Sequence, residues 1–215
     1  MARNGLVLAE ESETASRSHV GSLPGLVARV LARAGLAMDD LEGLAISIGP
    51  GSFTGLRIGL GFVKGVAFAG GLPVAAVPTL EALAEVAGGA PGETVCAALD
   101  ARKREVYAAL FRVGAAGRVE RTTEDLALAA DALAARLPAG AVLVGDAAEA
   151  YPEAFGPEIV RRPFTTHHPR GGVVARLGAE RLAAGAAAEV GPLEPVYVRP
   201  PEAELARSAS AAPAR

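Results

Sequence analysis

Hydrophobic positions along this chain fall into short runs divided by glycine-rich turns, and the spacing within each run names an element. Leu44 to Ile48 is apolar and β-branched and ends at Gly49-Pro50-Gly51, the pattern of a strand buried on both faces. Leu56 to Ala69 then reads as a helix that is apolar almost all round, interrupted only by Arg57 and Lys64, which share one face. Gly70, Gly71 and Pro73 stop it, and a second apolar run to Val77 completes a βαβ unit. Gly55 with Gly59 and Gly61 with Gly65 recur at helical spacing, so another backbone can come close. Each such glycine costs about 1 kcal/mol relative to alanine. One face of this helix is expected on its own sheet. The other meets either a second protein or further elements of the same chain.

The same patterns extend both ways. Asn4-Gly5 before Leu6 to Ala9 is a strong hairpin signal. Because only three residues precede that turn, Met1 is expected to be a mis-called start or a truncation. Ser22 is expected to cap a helix from Leu23 to Ala34, with Pro24 in its first turn and an apolar stripe of Leu23, Leu26, Val27, Val30 and Leu31. Thr79 is expected to cap a helix from Leu80 to Ala87, after which Gly88 to Gly92 marks a lobe boundary. Thr94 to Leu99 and Glu105 to Val113 read as strands joined by a charged turn, Asp100 to Arg104. A helical pattern around Glu124 to Leu137, a buried strand at Ala141 to Val144 and a helix from Gly172 to Ala184 follow. The expected organisation is a first lobe over 1–90, a second, smaller lobe over 93–200, and a disordered alanine-rich tail over 201–215.

Composition narrows the chemistry. The 215 residues carry a net charge of -3, are 51% hydrophobic and only 4% aromatic, and include no tryptophan. A protein gripping RNA unaided needs a basic face and stacking rings, so direct, tight RNA binding is not expected. Cys96, the single cysteine, excludes an internal disulfide and a multi-cysteine metal site and is read as buried packing. No signal peptide or membrane span is recognisable, which points to the cytoplasm.

The loop Gly49 to Gly55 invites a phosphate, since glycine amides leading into a helix form an anion site. Its spacing is one residue too long for the dinucleotide fingerprint, it lacks a Gly-Lys-Ser or Gly-Lys-Thr ending, and Ser52 is outside a nucleophile-elbow frame. Two readings remain: a turn capped by Ser52 or Thr54, or an anion contact through Gly49, Gly51, Ser52 and Thr54. Arg102, Lys103 and Arg104 likewise form either a solvated hairpin tip or a contact for phosphates, with Arg102 and Arg104 the phosphate candidates. Asp100 and Asp146 stand at strand ends, but spacing assigns them no acid–base partnership. Adjacent His167 and His168 point apart, which disfavours a shared metal.

Three stretches, IGPGSFTGLRIGL with KGVAFA and PTLEALA after it, Asp100 to Tyr107, and Pro195 to Pro200, resemble in order the signatures of the TsaB (YeaZ) family. That resemblance implies an α/β fold of the ASKHA type (actin, Hsp70 and sugar-kinase-like, related to ribonuclease H), here lacking the family's first strand. It implies a non-catalytic subunit of the machinery that makes threonylcarbamoyladenosine beside the tRNA anticodon. The transferase TsaD would be its direct partner, with the ATPase TsaE joining, tRNA reached only through the complex, and a homodimer possible in isolation. No cofactor is expected on this chain; ATP and metal would sit on the partners. The two glycine- and leucine-rich helices would supply the pairing surface, with Leu26, Val30, Gly55, Leu56, Arg57, Gly59, Phe62, Val63 and Lys64 as contact or close-packing positions. His19 matches a histidine often found before the first helix. The alternatives are an ASKHA-type ATP-dependent phosphotransferase using the Gly49 to Gly55 loop, and a peptidase.

Overall fold

The computed structural model describes residues 1–13 and 19–198. Arg199, Pro200 and the expected tail lie outside the described residues, as do the side chains of His19 and Ser22. The chain begins with a hairpin, β1 (Ala2–Arg3) and β2 (Leu6–Val7), paired antiparallel. Asn4 and Gly5 turn it with φ of 51° and 78°, as a type I′ turn requires. Helix α1 (His19–Ala34) follows. It starts before the expected Leu23, so Ser22 and Pro24 are inside the helix and not at its cap. Pro24 is exposed there, where the loss of one backbone donor is tolerated.

The βαβ unit forms as read: β3 (Leu44–Ser47), α2 (Phe53–Gly70) and β4 (Val74–Val77). β3 and β4 pair in parallel from Leu44↔Val74 to Ser47↔Val77. Ser52 caps α2, its Oγ accepting the Gly55 N–H at 3.3 Å, and left-handed Gly71 ends it. Helix α3 (Thr79–Ala87) is capped by Pro78, not by Thr79. The Thr79 hydroxyl is used elsewhere: it bonds Ser47 Oγ at 2.7 Å and accepts the Gly49 N–H at 3.1 Å.

A mixed sheet holds the second half. Its strands are β5 (Thr94–Arg102), β6 (Glu105–Val113), β7 (Val119–Arg121), β8 (Leu126–Ala129), β9 (Val142–Val144) and β10 (Val160–Arg162), with short helices α4 (Ala130–Ala134) and α5 (Ala147–Ala150) between them. The order is β10-β9-β5-β6-β7, with β8 also on β6. The expected helix over Glu124 to Leu137 is therefore a strand leading into a single helical turn and a half. Leu126 and Leu128 alternate with more exposed alanines and pair with β6, and an alanine-rich stretch gives no period strong enough to tell the two apart. Residues Val95 and Ala97 of β5 meet Leu80 and Leu83 of α3, while Cys96 and Ala98 meet Leu133, Leu143 and Phe155 on the opposite face. Burial on both faces explains the unbroken apolar run. It also pushes the Cys96 thiol up to about 12, leaving it a packing group.

Helix α6 (Gly171–Ala183), although it follows the mixed sheet in the chain, packs back on β3, β4 and the N-terminal hairpin. A methyl at Gly178 would overlap the Ala45 side chain, so the contact is nearly backbone to backbone. Ion pairs tie α6 to both halves: Glu85 of α3 accepts from Arg118 at 3.0 Å and from Arg176 at 2.6 Å, and Arg118 and Arg176 both reach Glu180. The Glu85 side chain is only 6% exposed. Glu85→Ala would leave two guanidinium groups facing an empty, buried position; a loss of about 2 kcal/mol in urea unfolding is expected, discounted for the exposure of Arg118.

Candidate functional site

Helix α2 divides into two faces of different fate. Leu60 and Ala67 are buried in a cluster with Ile46 and Val74, and Val63 packs against the same cluster. Its opposite side carries Thr54, Ile58, Gly61, Gly65 and Phe68, a seam with 4-3-4-3 spacing. A side chain built at Gly61 or at Gly65 would meet nothing within 4 Å, and Phe68 is 92% exposed. A benzyl group held in water beside two open glycines makes an exposed apolar patch on the helix. Burying Phe68 alone is worth roughly 1.5–3 kcal/mol.

The nine proposed contact positions do not all face this seam. Phe62 is half-buried, and Leu26 and Val30 are half-buried on α1, which packs beside α2. Val63 and Leu56 turn inward, Leu56 Cδ1 lying 3.3 Å from where a Gly49 side chain would begin. A side chain at Gly59 would meet Ile46 Cδ1 at 3.6 Å, and Gly55 lies over its cap, Ser52. Arg57 and Lys64 are engaged with this chain's own C-terminal stretch: Arg57 Nε donates to Tyr197 Oη at 2.9 Å and Lys64 Nζ to the Gly191 carbonyl at 2.8 Å. The uncovered seam is formed instead by Thr54, Ile58, Gly61, Gly65 and Phe68, whose heptad spacing is visible in the sequence.

The Gly49 to Gly55 loop is occupied by its own structure. Gly49 N–H donates to Thr79 and its carbonyl accepts from the Thr79 N–H at 2.8 Å, while the Gly55 amide is spent on Ser52. The Val196 carbonyl lies 2.6 Å from the point where a Gly49 side chain would start. Gly49, at φ 118°, is the residue type that permits both the turn and this approach. Gly51 and Thr54 are exposed. The Gly49 and Gly55 amides are thus already bonded within the chain.

At the tip of the β5–β6 hairpin, Arg102, Lys103 and Arg104 all adopt left-handed backbone, φ 67°, 55° and 63°. Arg102 pairs with Asp100 at 3.2 Å, and Arg104 with Glu153 at 3.1 Å and Asp131 at 3.7 Å. Asp100 and Asp146 do come together: the Asp100 N–H donates to Asp146 Oδ1 at 2.8 Å, and Tyr151 Oη donates to Asp100 Oδ1 at 2.6 Å. Burial, with some repulsion from Asp100, holds the Asp146 carboxyl above the ordinary range. The arrangement pins the hairpin tip. Among the described residues, no group of three or more His, Cys, Asp and Glu side chains is placed to share a metal.

An α/β chain that combines a parallel βαβ unit with a mixed sheet and carries an exposed apolar seam on α2 is defined as a domain of the ASKHA-like class. Residues 11–168 match the model of the family described as TsaD, tRNA N6-adenosine threonylcarbamoyltransferase. The tRNA threonylcarbamoyladenosine biosynthesis protein TsaB of Escherichia coli K12 is 33% identical over 193 residues, covering 87% of this chain and 83% of that protein. TsaB of Haemophilus influenzae is 41% identical over 97 residues, 45% of this chain and 41% of that one. The solved structure of YeaZ from Pseudomonas aeruginosa superposes with a TM-score of 0.74 at 30% identity, over 86% of this chain and 87% of that one. The chain belongs to the TsaB (YeaZ) family.

The raised Asp146 carboxyl gives a signed expectation. Between the ordinary carboxylate value and the folded one, the fold holds a proton that the unfolded chain has released, so stability falls as pH rises through that window. Asp146→Asn keeps an acceptor for the Asp100 N–H and removes the charge. Its urea midpoint should exceed wild type at pH 7 and match it at pH 3.

Proposed function

We propose that this chain is the non-catalytic subunit that docks on TsaD in the cytoplasmic complex making threonylcarbamoyladenosine in tRNA. The observation that carries the reading is the uncovered seam of α2, floored by Gly61 and Gly65 and topped by Phe68. Family membership supports the pathway, since the matched relatives are biosynthesis proteins for that nucleoside. The match to the TsaD model itself supports the manner of pairing: two domains of one kind meet through equivalent helices, as in an isologous contact. In the absence of TsaD the same seam pairs with a second copy of this chain.

On this reading the transferase chemistry belongs to TsaD, and TsaE joins the pair. ATP and metal are held by those partners, and tRNA is reached only through the assembly. The closed Gly49 to Gly55 loop and a net charge of -3 are consistent with that division of labour.

The decisive substitution follows from where each glycine points. Gly59→Leu would press a larger side chain against Ile46, whose Cδ1 already lies 3.6 Å from the first added carbon, and so confuses folding with docking. Gly65→Leu enters open space: its thermal midpoint should stay within a few degrees of wild type, while co-purification with TsaD is lost, because a bulky side chain keeps the partner helix off. Undiminished pairing would remove this seam from the interface.

A further inference from the structure

The C-terminal segment does more than end the chain. After an antiparallel bridge between Ala188 and Val74, Val190 and Leu193 pack on the cluster beneath α2. The segment then runs beside α2, touching it at Lys64 through the Gly191 carbonyl and at Arg57 through Tyr197. Phe53, Arg57 and Lys64 share one stripe of the helix, adjacent to the open seam. Val196 N–H closes the far end on the Ile48 carbonyl at 2.7 Å.

The contact at that end is unusually dense for an exposed place. The Arg57 guanidinium carbon lies 4.0 Å from the Phe53 ring centroid and 5.9 Å from that of Tyr197, and the two rings stand 5.3 Å apart. With the Nε to Oη hydrogen bond, each of the three side chains contacts the other two. Phe53 and Arg57 nevertheless remain exposed, so the cluster contributes little to the core. What it does fix is the first turn of α2, the turn that begins the seam at Thr54 and Ile58. Helix starts fray because their first amides lack intrahelical partners, and Ser52 Oγ satisfies only one of them here.

We propose that the segment 191–198 is a latch: Tyr197, clamped on Arg57 and Phe53, holds the N-terminal turn of α2 and one wall of the seam in the docked geometry, so that the chain meets its partner already ordered. Tyr197 is thus a positioning residue, acting through Arg57 and not by touching the partner helix. Ordering the surface beforehand removes an entropic cost from association. This inference rests on the subunit reading given above.

Two readouts separate the latch from that reading. In the isolated chain, Tyr197→Ala should speed amide hydrogen exchange in the peptide covering 53–60 while leaving the peptide covering 94–113 at its wild-type rate. With TsaD, the same variant should bind about tenfold more weakly, and Tyr197→Phe, which keeps the ring pair, should recover most of the loss. Unchanged exchange at 53–60 overturns the latch, whatever happens to binding. Faster exchange with wild-type affinity overturns its role in docking. If the wild-type chain itself fails to bind TsaD, the subunit reading falls and takes the docking role with it, and the exchange arm alone judges whether Tyr197 orders α2.

Discussion

Helix α2 carries apolar surface on more sides than its own chain covers. Leu60 and Ala67 are sealed against the β3–β4 pair, while Phe68 stands in water over two glycines whose missing side chains leave room for another backbone. Burial of the first face is enough to hold the helix in place. The second face leaves apolar surface in water, and on the reading proposed above TsaD covers it.

The rest of the molecule holds α2 in place. The parallel pair β3–β4 anchors the helix at both ends, the Thr79 backbone and hydroxyl fasten Gly49, and α6 backs the pair closely enough at Gly178 that only a hydrogen fits. The mixed sheet is bolted on through Glu85, which draws one guanidinium from the β6–β7 turn and one from α6. Such a buried carboxylate is costly to leave unpaired, which makes the relative placement of α3 and α6 specific. The Gly49 turn, fastened by Thr79 and approached by the Val196 carbonyl of the C-terminal segment, is a structural joint.

Much of this was legible in the chain. The strand, glycine loop, helix and second strand from Leu44 to Val77 could be read because apolar period, cap and stop signals agree there. The β5–β6 hairpin and α6 were readable for the same reason. The stretch from Glu124 to Leu137 was not, because alternating leucine and alanine satisfies either period and pairing with β6 decides the outcome. The short strands β7 and β10 are three residues each and carry too little pattern to declare themselves. At the site, glycine spacing marked two small-residue faces of α2, but not which of them faces inward: Gly59 points at Ile46 and Gly65 at solvent, a matter of helix phase that only the packed structure fixes. The engagement of Arg57 by Tyr197 joins residues 140 apart, beyond any local pattern, as does the meeting of Asp100 with Asp146.

The central claim is that the Thr54–Phe68 face of α2 is where TsaD sits. Hydroxyl-radical footprinting of the Phe68 ring, with and without TsaD, addresses it directly. The account predicts that Phe68 labels readily in the isolated chain at low concentration and loses most of that labelling when TsaD is added. Equal labelling of Phe68 in the free chain and in a verified complex would contradict it.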